Sequence, residues 1–248
     1  MREGRVIVAR ACELDALPVL RAVILYARSH PSLSASGLET AIAYAVRGHA
    51  GPSSPQSAGS PPDDDPERNR IVALVELAQS GDSEAFGQLY DHYADQIFRY
   101  VYYRVGERTL AEDLTGDAFV RALRALPRFT WQGTDFGAWL TTIARNLITD
   151  HYKSSRTKRE IVADELPETN DTRSGPEQAA IANDAHDALI RAMQDLPDDQ
   201  RECLTSRFIL ERSIAETSAI MGRSPGAIKQ LQLRAIRALA RTIPGEMR

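Results

Sequence analysis

The sequence predicts an all-α protein: two small helical domains, the second with a helix-turn-helix, joined by a flexible linker and preceded by a largely disordered leader. Three observations carry this. Apolar residues recur at helical spacing over most of the second half of the chain. A Pro/Ser/Gly/Asp-rich stretch at His49–Asp65 and an acidic linker from Thr157 to Asn183, with six Asp/Glu against three Lys/Arg, break that pattern. Helix start and stop signals recur between them. The expected divisions are 1–70, 71–156, 157–183 and 184–248.

In the leader, Ala16–Ala27 and Leu38–Val46 are moderately apolar and read as helical pieces, the second started by Ser36-Gly37. Two readings of the leader stand level. One is an inert tail or a start codon set too far upstream, the other a regulatory segment. From Ile71 to Arg104 the chain is helical, with Asp82 capping a helix after a pause at Gly81. Five of the eight tyrosines fall between Tyr90 and Tyr103, a stripe read mostly as core, with Tyr102 or Tyr103 the candidates for exposure.

The stretch from Ala111 to Arg156 organises the chain. Its first helix carries Leu114, Ala118, Val120, Leu123 and Leu126, with Thr109 and Glu112 fitting a capping box. Pro127 ends it. A short segment bearing Phe129 and Trp131 leads to a second helix, announced by Gly133, Thr134 and Asp135. That helix has Phe136, Trp139, Leu140, Ile143 and Leu147 on an apolar stripe. Arg145, Asn146, Thr149, Asp150 and Lys153 lie on its polar faces.

Beyond the linker, Ala188, Leu189, Ala192, Met193 and Leu196 share a face, and Pro197 fits a first helical turn with Asp198 and Asp199 beside it. A helix runs on from Arg201 to Glu211. Ser213 with Glu216 is a capping box, Gly222 a helix-ending residue, and Ser224-Pro225 a cap with a first-turn proline. Helix, tight turn and second helix make a helix-turn-helix. In the second helix Ala227, Ile228, Leu231, Ala235 and Leu239 face inward, leaving Lys229, Gln230, Arg234, Arg237 and Arg241 outside. Short polar groups near that helix's start suit base edges, and the arginines suit phosphates.

The formal charge of −4 hides local contrast. From Phe136 to Arg159 five Lys/Arg stand against one Asp, and from Arg223 to Arg248 six stand against one Glu. Such basic patches are the footprint of nucleic-acid binding that the net charge conceals. Phosphate-binding, zinc-protease, serine-hydrolase and CxxC signatures are missing, and the five histidines are scattered, so neither an enzyme, a metal site nor a cofactor is expected. Cys12 and Cys203 form no disulfide framework, and no apolar run reaches membrane-spanning length; the expected location is the cytoplasm, without membrane insertion.

The string AEDLTGDAFVRAL followed by FGAWLTTIARNLITDHYKSSR resembles region 2 of bacterial RNA polymerase sigma factors of the extracytoplasmic-function (ECF) group. LPDDQRECLTSRFILERSIAETSAIMGRSPGAIKQLQLRAIRALAR resembles region 4 of the same group. The resemblance implies a non-enzymatic specificity subunit that directs core RNA polymerase to promoter DNA and starts melting, with an anti-sigma factor as a further partner. It implies a polymerase-binding face at Asp113, Leu114, Asp117 and Phe119. Contacts to the −10 element fall to Phe129, Trp131, Arg145, Asn146, Asp150 and Lys153. Contacts to the −35 element fall to Ser224, Lys229, Gln230, Arg234 and Arg237. The family usually has serine and arginine where Gln230 and Leu231 stand, and glutamine where Gly116 stands. Developmental members of the group carry an N-terminal extension that proteolysis removes, which the leader resembles. The runner-up reading is a stand-alone helix-turn-helix regulator, which leaves Ala111–Arg156 unexplained.

The 27-residue linker can reach roughly 90 Å fully extended but averages about 30 Å as a coil. Promoter elements roughly 17 base pairs apart, as the resemblance implies, lie roughly 58 Å apart. The two domains can serve both elements only if the polymerase holds the linker extended.

Overall fold

The computed structural model describes residues 17–49, 66–131, 135–161 and 180–242, and within them the chain forms ten α-helices. The leader contributes α1 (Leu17–Ser29) and α2 (Ala35–His49). Four helices follow: α3 (Pro66–Gln79), α4 (Ser83–Val105), α5 (Arg108–Ala125) and α6 (Phe136–Ile161). The rest are α7 (Ala180–Gln194), α8 (Asp198–Leu204), α9 (Ile214–Met221) and α10 (Pro225–Thr242).

Local chemistry sets most of the boundaries. The Asp82 carboxylate accepts from the amides of Glu84 (2.9 Å) and Ala85 (3.1 Å), starting α4. Gly106 ends it at φ +77, a left-handed conformation that glycine takes without steric cost. The capping box expected at Thr109 does not form. Helix α5 starts two residues earlier, with Glu107 rather than Thr109 at its N-cap, and Glu112 turns to the Arg108 guanidinium at 3.0 Å. Pro127 ends α5 through a 3₁₀ turn over Leu126–Arg128, where the Gln79 side-chain amide donates to the carbonyls of Leu126 and Phe129. Pro197 stands at the N-cap of α8 rather than in its first turn. The helix expected through Glu211 gives way after Leu204 to a π-helical turn, Thr205–Ile209.

Helices α3 to α6 enclose one core around Leu89, Ile97, Phe98, Tyr100, Phe136, Leu140 and Ile148. Tyr103, a candidate for exposure, is buried, and Tyr102 is half-buried. Val120 and Leu123 correct the expected inward stripe of α5, being 47% and 50% exposed. A second core gathers Leu189, Met193, Leu204, Phe208, Leu233, Ile236 and Leu239, and the leader belongs to it. Leu20, Val23, Ile24, Leu33, Leu38 and Ile42 are buried there, each worth about 1.5–3 kcal/mol of gross transfer free energy. Helices α1 and α2 thus form where the apolar pieces stood, and they pack on α10. The stretch 50–65 lies outside the described residues. So does most of the expected linker, although α6 enters it as far as Ile161 and α7 leaves it from Ala180.

Candidate nucleic-acid interface

The helix-turn-helix forms by the expected local bonds. The Ser213 hydroxyl accepts from the Glu216 amide (3.2 Å), and the Glu216 carboxylate accepts from the Ser213 amide (2.8 Å). Burial would raise the Glu216 carboxyl, but hydrogen bonds from Ser213 and the Arg212 guanidinium outweigh it and hold it below its ordinary value. Gly222 turns the chain at φ +63, and the Ser224 hydroxyl accepts from the Ala227 amide at 3.3 Å to start α10. Lys229, Gln230, Arg234, Arg237 and Arg241 are all exposed, as is Ser224. Ala227, expected inward, is exposed too, while Gln232, Leu233 and Ile236 are buried in addition to the predicted stripe.

On α6, Asn146, Asp150 and Lys153 are exposed and share a polar stripe with Arg145 and Thr149. Asp150 meets Arg121 of α5 at 3.6 Å, an exposed pair of small energetic worth. Phe129 corrects the expectation of a base-contacting ring. It is buried in an aromatic cluster with Trp131 (5.2 Å between centroids), Trp139 (4.8 Å) and Phe136 (5.6 Å). Trp131 is half-buried at the edge of that cluster. On α5, Asp113 and Asp117 are exposed, but Leu114 and Phe119 are core residues; Phe119 packs on Tyr90 at 4.6 Å between centroids. The apolar part of that outer face is Val120 and Leu123 instead.

Sequence reasoning missed the residues that hold the two halves together. Glu202 of α8, with its side chain only 5% exposed, takes Arg145 of α6 and lies 3.7 Å from Arg104 of α4. Arg104 also donates to the Asp198 carbonyl at 2.9 Å. Arg201 donates to the carbonyls of Met193, Gln194 and Leu196 at the end of α7, and to that of Arg104 across the seam. Burial pushes the Arg201 guanidinium below its ordinary value. A second bridge joins Arg212 to Asp135 at 3.4 Å. A cavity of about 710 Å³ opens between the halves, with Tyr93, Trp131 and Asp135 on one side and Ala215, Glu216 and Ala219 on the other. Buried charges facing each other were the available signal, but Arg145 lies 57 residues from Glu202 in sequence and Arg104 lies farther still.

Two faces, one on α6 and one on α10, therefore present polar and basic side chains from separate halves. Comparison with known proteins gives each half a family. Residues 89–158 match Sigma-70 region 2, and residues 186–239 match Sigma-70 region 4. The ECF RNA polymerase sigma factor BldN of Streptomyces coelicolor is 49% identical over 184 residues, covering 74% of this chain and 70% of BldN. The chain is an ECF RNA polymerase sigma factor. SigD of Mycobacterium tuberculosis, another ECF sigma factor, is 33% identical over 174 residues, 68% of this chain and 82% of SigD. Among solved structures, CnrH in complex with the cytosolic domain of CnrY superposes with a TM-score of 0.52 at 25% identity, covering 70% of this chain and 96% of that one. A sigma factor is a specificity subunit rather than an enzyme, and both halves of this chain match its regions. The stand-alone regulator accounts for only one of them.

Proposed function

We propose that this sigma factor works through three surfaces. The −35 face is α10, with Lys229, Gln230 and Arg234 toward bases and Ser224 and Arg237 toward phosphates. The −10 face is the α6 stripe of Asn146, Asp150 and Lys153, joined by Arg145 once it leaves Glu202, with Trp131 at its edge. The polymerase face is the outer side of α5, with Asp113 and Asp117 beside Val120 and Leu123. Functional boundaries near residues 71, 156 and 184 follow from this division. CnrH is seen in complex with a partner's cytosolic domain, which supports an anti-sigma factor as a regulatory partner here. No helix among the described residues is long and apolar enough to cross a membrane; work on the chromosome places the protein in the cytoplasm.

The observation that carries this reading is the pairing of two exposed polar helix faces on separate halves with a family match over both. Neither half needs tight binding alone, because the polymerase fixes their spacing. The test is reconstitution with core polymerase on a promoter library randomised at the −35 element. Arg234→Ala should cost about 1–3 kcal/mol of discrimination and blur preference at one position. Arg241→Ala should act evenly across sequences. An unchanged preference for Arg234→Ala would remove direct readout by that side chain.

A further inference from the structure

The leader hairpin spends polar groups of α10 as well as burying its flank. The Glu39 carboxylate accepts from the Gln232 amide (2.8 Å) and from Arg207 (3.4 Å). Arg237 donates to the Leu33 carbonyl at 2.6 Å and the Pro31 carbonyl at 3.4 Å, both in the turn between α1 and α2. At about 100° per residue, Leu233, Ile236 and Ala240 lie together on one side of α10. Gln230, Arg234 and Arg241 lie roughly a quarter-turn round from them, and Arg237 stands between the two sets.

That position matters for a helix in a groove. The major groove is about 12 Å wide, and a helix with its side chains is about 10–12 Å across, so one helix fills it and phosphates line its flanks. A neighbour packed about 8–10 Å away on one flank stands where a phosphate wall must run.

We propose that the α1–α2 hairpin is an internal competitor of promoter DNA: it occupies the flank of α10, and Arg237 must exchange the Pro31 and Leu33 carbonyls for a phosphate before the −35 face can seat fully. This rests on the reading of α10 as the −35 helix. It assigns the leader to the DNA-binding half, where its apolar helices pack, rather than to the polymerase face of α5.

The test uses the full chain and two independent variants that unseat the hairpin. Leu20→Asp places a charge in its buried core, and Glu39→Lys faces Arg207 with a like charge. Hydrogen exchange reads release as faster exchange over residues 17–49 with α3–α6 unchanged. Fluorescence anisotropy with a randomised 20-base-pair duplex reads affinity from low to moderate salt. Released variants should bind more tightly, and the slope of log K against log salt should steepen by about 0.9 for one added phosphate contact. Adding Arg237→Ala should abolish that gain. Release without a change in affinity or slope overturns competition, and a slope gain surviving Arg237→Ala overturns the part given to Arg237. Unchanged exchange over 17–49 in both variants overturns the seat itself. Failure of every form to bind duplex, free and in complex with core polymerase, sinks the underlying reading of α10.

Discussion

Glu202 carries two ion pairs across the contact between the two halves, and Glu202→Gln tests how far the contact depends on it. Its charged partners, Arg104 and Arg145, both lie across the seam. In the substituted protein Arg104, 4% exposed, would remain buried without its counter-charge. Removing one partner of a buried pair costs about 3–5 kcal/mol. The lower end applies here, because Arg104 keeps the Asp198 carbonyl and Arg145 is 31% exposed. At 1.4 kcal/mol per tenfold, about 3 kcal/mol shifts the docked-to-separated ratio roughly 100-fold. Dyes on cysteines placed at the exposed positions Arg124 and Arg241, with Cys12 replaced by serine, report the distance between halves by single-molecule energy transfer. Buried Cys203, whose thiol burial pushes up to about 12, stays unlabelled at neutral pH. The substitution should move molecules from the high-transfer to the low-transfer population, with unchanged helical content. An unaltered distribution would show that the seam does not depend on this carboxylate. A fall in melting temperature without separation would make Glu202 a residue of its own half alone.

Three further outcomes follow from particular residues. Asp117→Arg, on the exposed face of α5, should abolish co-purification with core polymerase at unchanged helical content; undiminished co-purification removes that face. The Glu216 carboxyl is held low in the folded chain, so its contribution is complete above the ordinary glutamate range and is lost as pH falls through its depressed folded value. Amide exchange at the start of α9 should therefore quicken on acidification, and Glu216→Gln should flatten that dependence. Among the described residues, Glu211 is the non-glycine residue with positive φ, at +53, just before the helix-turn-helix. Glu211→Gly should relieve left-handed strain and raise stability by about 1 kcal/mol in thermal melts, whereas a loss would show that the strain is already compensated.

What was legible in the sequence was local. The Ser213–Glu216 box, the Gly222 turn and the Ser224 cap are each settled by partners three or four residues away, so a short window contains everything that decides them. Thr109 failed by the same logic at one remove, because Arg108 competed for Glu112. Helical spacing identified α5 but not its orientation: Leu114 and Phe119 turn to the core, while Val120 and Leu123 turn outward. The apolar surface of α10 is broader than one packing face needs, with Leu233 and Ile236 lying beyond the stripe of Ile228, Ala235 and Leu239. That excess is the trace the leader leaves in the sequence. Charges gave least, since an arginine such as Arg104 reads as solvated until the fold brings Glu202 to it.

On the proposed reading of the α6 face, the Arg145–Glu202 contact bears on the chemistry of promoter engagement. In the docked arrangement Arg145 resembles a site on an ion-exchange resin already loaded with an anion, the carboxylate of Glu202. An arginine that passes from that carboxylate to a phosphate trades one fixed anion for another. The cation shed by the DNA is partly recaptured around the newly bared carboxylate. Arg145 would then add less to the salt dependence of binding than an arginine that starts in open solvent. Raised ionic strength loosens the seam as it loosens the DNA contact, so the two effects oppose each other at this one side chain.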